Sequence, residues 1–181
     1  KRYERRTTPS VQIVLDANTF EHFWEGYNPA LLERVISLAA SIANDLLERG
    51  FQVGLVANAP PAGHAQYLRI GASASRGQLP RILDGLARLV GGTGTRIERV
   101  LEEDARSLPF GTTVVVVSAN VTEGLQLALM ALSRRGVRPV LIACGDAPAL
   151  AAGLHGRIAA FHVPSDEVGK EGGDGFRPVA I

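Results

Sequence analysis

The 181-residue chain has a single cysteine, a single methionine, a single tryptophan and few aromatic residues (6%), and lysine occurs only as Lys1 and Lys170. With Cys144 alone, no disulfide can form within the chain, so stability has to come from packing. A chain of this length buries about two-thirds of its unfolded surface, enough for one apolar core. The charges nearly cancel, leaving a formal net charge of +1. There is thus no overall field to hold nucleic acid or an anionic membrane, and no nucleic-acid partner is expected. Neither a membrane-spanning run of about 18 apolar residues nor a signal-peptide core is present.

Several chemistries are missing as well. No G-x-x-x-x-G-K-[ST] loop occurs, which excludes a P-loop, and no G-x-S-x-G elbow supports a serine nucleophile. The stretch Gly92-Thr93-Gly94 begins a dinucleotide fingerprint, but Ile97 stands at its third glycine and a helix precedes it instead of the first strand. His22, His64, His155 and His162 have no partner at zinc-ligand spacing. Asn18 stands where a D-x-D-x-[TV] phosphatase needs its second aspartate.

What is present is an alternation of strand and helix patterns. Strands are expected at Val11–Asp16, Phe51–Asn58, Thr112–Ser118, Val137–Ala143 and Arg157–Val163, with a half-exposed edge strand within Gly63–Ile70. Thr112–Ser118, the most β-branched run, is the expected centre of the sheet. A long helix starts at Asn28-Pro29, an N-cap followed by proline at the first helical position, and Gly50 closes it. Further helices are expected at 79–90, after a Thr95–Glu98 capping box, at 122–135 and, briefly, from Asp146-Ala147-Pro148. This order predicts an α/β domain: a doubly wound, mostly parallel six-stranded sheet with one antiparallel edge strand, covered on both faces.

The domain is expected at residues 11–163. Residues 1–10 form a basic flank, and 164–181 form a Gly-rich, loose tail whose Phe176–Ile181 end can dock locally. The opening Lys1-Arg2-Tyr3-Glu4-Arg5-Arg6 lacks an initiating methionine, so the chain is expected to be cut from a longer protein.

In an open sheet of this kind ligands bind beyond the carboxyl ends of the strands, where the strand order reverses. The residues there are Asp16 to Phe20, Asn58-Ala59, the loop 91–95, Ser118-Ala119-Asn120 and Cys144-Gly145-Asp146. Asp16-x-Asn18 with Gly91-Gly92-Thr93 resembles the metal-ion-dependent adhesion site of von Willebrand factor A domains. That family's pattern is D-x-S-x-S, then a loop threonine, then an aspartate after the central strand. Here Asp16 and Thr93 match and Asn18 replaces the first serine. Phe20 replaces the second, and Ser118 or Ala119 falls where the second aspartate belongs. The resemblance implies a degenerate metal site of Asp16, Asn18 and Thr93, with no cofactor or a weakly held Mg²⁺. The other use of Asp16, as a hydrogen-bond acceptor organising the loops, stays open beside it.

A narrower resemblance runs from about Tyr3 to Asp146. Tyr3–Thr8 leading into Leu15-Asp16, Leu32–Ser41, Val53–Asn58 and Leu79–Leu89 are similar to the C-terminal half of the domain of unknown function 58 family. This implies the soluble part of a membrane-anchored protein, facing the cytoplasm and partnered by a MoxR-type AAA+ ATPase. It also implies a non-enzymatic interaction module. Phe20, His22, Phe23 and Trp24 are then candidate contact residues, or else Phe20 and Trp24 cover the sheet end. The alternative is a small-molecule or nucleotide-binding enzyme in the same crevice, with Asp16 or Cys144 as its working group.

Overall fold

In the computed structural model, which describes residues 9–22, 25–92, 94–145, 158–164 and 177–178, the apolar runs pair into one sheet. The elements are, in order, β1 (Ser10–Leu15), α1 (Pro29–Glu48), β2 (Gln52–Ala57), β3 (Leu68–Ser73) and α2 (Gln78–Ala87). They continue with α3 (Ile97–Ala105), β4 (Thr113–Ser118), α4 (Glu123–Arg134), β5 (Arg138–Cys144), β6 (Ala159–Val163) and the two-residue β7 (Arg177–Pro178). The spatial order is β3-β2-β1-β4-β5-β6-β7. From β2 to β6 all neighbours run parallel, and β3 joins β2 antiparallel. The expected six-stranded sheet with one antiparallel edge is therefore present, and β7 adds a short antiparallel pairing to β6.

Alternation along the strands builds two cores. Val11, Ile13 and Leu15 of β1, Val115 and Val117 of β4, and Ile142 and Cys144 of β5 share one cluster with Leu32, Val35 and Ala39 of α1 and Ile82 and Leu86 of α2. Val14, Val114, Val116, Leu141 and Ala143 point the other way, against Ile97 and Leu101 of α3 and Leu125 and Leu129 of α4. A strand with apolar residues at nearly every position suits only a sheet covered on both faces, which is why these runs read as continuous rather than alternating.

Local signals act largely as expected. The Asn28 side chain accepts from the Ala30 and Leu31 amides at 3.0 and 3.2 Å, capping α1 ahead of Pro29. Thr122 caps α4 through the Leu125 amide. Three expectations need correction. The capping box does not form: Arg96 is the N-cap of α3 with no side-chain capping bond, and Glu98 instead accepts from the Thr122 hydroxyl at 3.0 Å. Helix α2 stops at Ala87, because the Val90 amide and the Arg88 carbonyl pair with Pro60 and Ala62. The edge strand starts at Leu68, later than its alternation suggested, because a turn closed by the His64 amide on the Pro61 carbonyl occupies the start of that stretch. The helix signal at Asp146-Ala147-Pro148 and the tail expectation, apart from β7, lie outside the described residues. Among the described residues no helix is long and apolar enough to cross a membrane.

The β2–β3 pairing shifts register between Val53 and Leu55, and a side chain repairs it. The fully buried Gln78, first residue of α2, donates its amide to the Val53 carbonyl at 2.7 Å and to the Gly71 carbonyl at 2.8 Å. Replacing it by leucine keeps the volume but leaves both carbonyls without that donor. The expected cost is about 2 kcal/mol in chemical unfolding, and an unchanged midpoint would show that Gln78 does not hold the bulge.

Candidate functional site

The strand order reverses between β1 and β4, since the chain leaves β1 for β2 and β3 before crossing back. Three strand ends converge there. Asp16 follows β1, Asn58 follows β2 and Ser118 ends β4. The Asp16 carboxyl is almost wholly buried, at 2% exposure. Its Oδ1 accepts from the Asn18 amide at 3.1 Å and from the Asn58 side-chain amide at 2.7 Å. Its Oδ2 accepts from the Ser118 hydroxyl at 2.9 Å.

Asn58 is the hub of this arrangement. Its Oδ1 accepts from the Ala17 amide at 2.7 Å, and its Nδ2 also donates to the Thr95 carbonyl at 2.9 Å. Its main-chain carbonyl accepts from the Thr95 amide at 2.8 Å. Asn18 donates to the same Thr95 carbonyl at 3.3 Å. The loop before α3 is thereby laced to the ends of β1 and β2. Gly94 is required for this, because a Cβ there would stand 2.7 Å from the Asn18 side-chain oxygen and 3.3 Å from the Asn58 carbonyl. On the other side, the Ser118 hydroxyl accepts from the Asn120 amide at 3.0 Å and lies 2.9 Å from the Asn120 carbonyl. Its one proton can thus be shared between that carbonyl and Asp16.

Burial pushes the Asp16 carboxyl up to about 6, against the lowering effect of the bonds from Asn18, Ser118 and Asn58, and the charge of Glu98 pushes it further the same way. The network accepts both protonation states. When Asp16 is neutral its Oδ2 donates to Ser118, which turns its own proton to Asn120.

The residues singled out from the sequence are distributed as follows. Asp16 and Asn18 meet at one end of the sheet, and Phe20 lies on the adjoining loop at 38% exposure. His22 is exposed on the same loop, its amide held by the Glu25 carboxylate at 3.0 Å. Thr19, buried beside them, accepts the Asn28 amide at 2.7 Å and ties the loop to the start of α1. Thr93, Phe23 and Trp24 lie outside the described residues. Cys144 is 4% exposed within the core cluster over α1, so its thiol is not presented to a ligand in this arrangement. Asn58, Ser118 and Glu98 are the partners that sequence reading did not assign to Asp16. Two of them stand at strand ends and were legible as positions. Glu98 was legible only as half of a capping box.

Among the described residues no group of three His, Cys, Asp or Glu side chains is placed to hold a metal ion. An ionised carboxylate offers about four lone-pair positions, and three are engaged by protein donors. Asn58 and the Asn18 main chain meet Asp16 with N–H groups, which repel a cation, and the Asn18 side chain donates to Thr95. Among the described residues, the groups that meet Asp16 are N–H and O–H donors, an arrangement unlike a Mg²⁺ shell, and Thr93 lies outside those residues.

No family model matches the chain, and no curated protein matches its sequence. The similarity lies in the fold. The conserved hypothetical protein BatB from Bacteroides thetaiotaomicron matches 93% of this chain and 75% of its own, with a TM-score of 0.53 and 16% identity. An aerotolerance-related membrane protein from Bacteroides fragilis matches 75% of this chain and 67% of its own, with a TM-score of 0.51 and 18% identity. The SpRpn10 VWA domain matches 87% of this chain and 89% of its own, with a TM-score of 0.55 and 9% identity. The fold is von Willebrand factor A-like.

Folding makes the Asp16 carboxyl a weaker acid, so between about pH 4 and about pH 6 the folded chain holds a proton that the unfolded chain has released. Its stabilising contribution is complete at the acid end of that window and is lost as pH rises through it. Asp16→Asn, whose amide can donate to Ser118 as the neutral acid does, should match the wild type near pH 4 and exceed it by about 3 kcal/mol near pH 8. Asp16→Ala should be weaker than Asp16→Asn throughout. Unfolding midpoints across pH read this directly, and parallel wild-type and Asp16→Asn profiles would remove the buried-acid account.

Proposed function

We propose that this von Willebrand factor A-like domain is a non-enzymatic protein-interaction module whose metal-ion-dependent adhesion site is degenerate. The observation that carries the reading is the engagement of Asp16. Its oxygens accept from Asn18, Asn58 and Ser118, while Phe20, exposed, stands where the metal-site pattern has a hydroxyl. In this reading Asp16 and Asn18 brace the loops, and Thr93 belongs to the loop they brace. Contact falls to Phe20 and His22, with Phe23 and Trp24 beside them in sequence. Aromatic side chains in such a place give large contact area at low entropic cost and dominate many interfaces.

The module spans residues 11–163, with 1–10 as a flank and 164–181 as a tail, and is the soluble part of a membrane-anchored protein. The anchor rests on the sequence resemblance of residues 3–146 to the domain of unknown function 58 family, to which no family-model match adds support, and on the likeness in fold to an aerotolerance-related membrane protein. The MoxR-type AAA+ ATPase, or its client, as the partner and the placement on the cytoplasmic side rest on that sequence resemblance alone.

The test is capture of that ATPase by the full-length protein with and without chelator. Capture should survive removal of divalent cations, and Phe20→Ala should weaken it about tenfold, as expected when one buried aromatic anchor is lost. Capture that vanishes on chelation and returns with Mg²⁺ would replace the degenerate site with a working one. Absence of capture by the intact protein would remove the ATPase from the account.

A further inference from the structure

The sheet ends at β3, and no strand among the described residues pairs with its outer side. Such an edge presents main-chain donors and acceptors along one side, an invitation to another strand unless it is blocked. Beside it lies an open groove of about 740 Å³, lined by the successive β3 residues Leu68, Arg69 and Ile70, by the loop before them and by α2. The loop is pinned in place, with the Ala62 amide on the Arg88 carbonyl at 2.7 Å and the Val90 amide on the Pro60 carbonyl at 3.2 Å. The groove floor depends on Gly85, where a Cβ would stand 3.0 Å from Leu68 and 3.1 Å from Ile70.

The groove is basic in a chain of nearly zero net charge. Arg69, Arg81 and Arg88 line it against one carboxylate, Asp84, with His64 at its rim. Arg69 is held by Asp104 at 3.3 Å and lies over the Tyr67 ring. Arg88 shares Asp84 at 2.9 Å in an exposed pair, which is worth little in water. The Arg81 side chain is exposed and makes no hydrogen bond or ion pair with any described residue. It stands two turns from Arg88 on the same side of α2.

These charges select among occupants. A second copy pairing through β3 would bring the same arginines together, a repulsion that natural edges use to prevent self-association. A strand carrying carboxylates meets the opposite situation. We propose that the β3 edge and its groove receive an extended acidic segment of a partner protein. The segment adds a strand to the sheet through its main chain and places Asp or Glu at alternate positions against Arg81 and Arg88. This surface is the sheet edge and not the Asp16 loops, so the inference stands or falls separately from the adhesion-site reading.

The experiment uses the whole chain and three labelled peptides of about ten residues, a common strand length. One alternates Val with Glu, one alternates Val with Lys, and one is the Glu peptide N-methylated at alternate amides. The Glu peptide should bind saturably by fluorescence anisotropy and perturb the amide resonances of Leu68–Ser73. Binding should fall about tenfold in the Arg81→Glu/Arg88→Glu double variant. That variant, altered only at exposed positions and checked by circular dichroism, should instead take the Lys peptide. N-methylation should abolish binding. Any of four results overturns the proposal: no saturable binding of the Glu peptide, equal binding of Glu and Lys peptides to the wild type, shifts confined to the Asp16 loops, or a wild-type dimer with protected β3 amides, which would make a second copy the occupant.

Discussion

A carboxylate that cannot reach water organises the working end of this molecule. Asp16 sits where β1 ends at the reversal of strand order, and its oxygens take donors from its own loop, from the end of β2 and from the end of β4. Each bond joins a different strand end to the same two atoms. Removing the carboxyl group would leave the Asn58 amide and the Ser118 hydroxyl without it, and the Asn58 amide is also what holds the loop before α3. The geometry of the strand-end surface therefore follows from one buried group.

The rest of the fold is arranged so that this group can exist. Strands apolar on both faces require helices on both sides, and the two resulting cores keep solvent away from the sheet. That exclusion makes the Asp16 charge costly, and the three donors only partly offset the cost, so the proton stays to about 6. The charge of Glu98, drawn close through Thr122, works in the same direction. In the proposed reading, a site with its acceptors engaged internally and an exposed aromatic ring on the adjoining loop works through shape and contact instead of ion coordination.

The architecture was largely legible in the sequence because its signals are local. The TTVVVVS run could only be a covered central strand, and Asn28-Pro29 could only open a helix. What failed depended on distant partners. Thr95 and Glu98 have the spacing of a capping box, but Asn58 claims the Thr95 main chain and Thr122 claims the Glu98 carboxylate. Helix α2 is cut short by a segment some distance upstream, and the β2–β3 bulge held by Gln78 has no pattern of its own. The candidate site was half legible. Asp16 and Asn18 stood out through their likeness to a metal-site pattern, whereas Asn58 and Ser118, polar residues at strand ends, carry no spacing that names their common partner. Thr93, Phe23 and Trp24 lie outside the described residues.

The central claim is that Asp16 is a buried, hydrogen-bonded acid and not a metal ligand. The direct measurement is the carbon-13 resonance of its carboxyl group followed through pH, with and without Mg²⁺. The account predicts one titration centred near 6, with the same midpoint and shift when Mg²⁺ is present. A midpoint in the ordinary carboxylate range, or one driven downward by Mg²⁺, would contradict it.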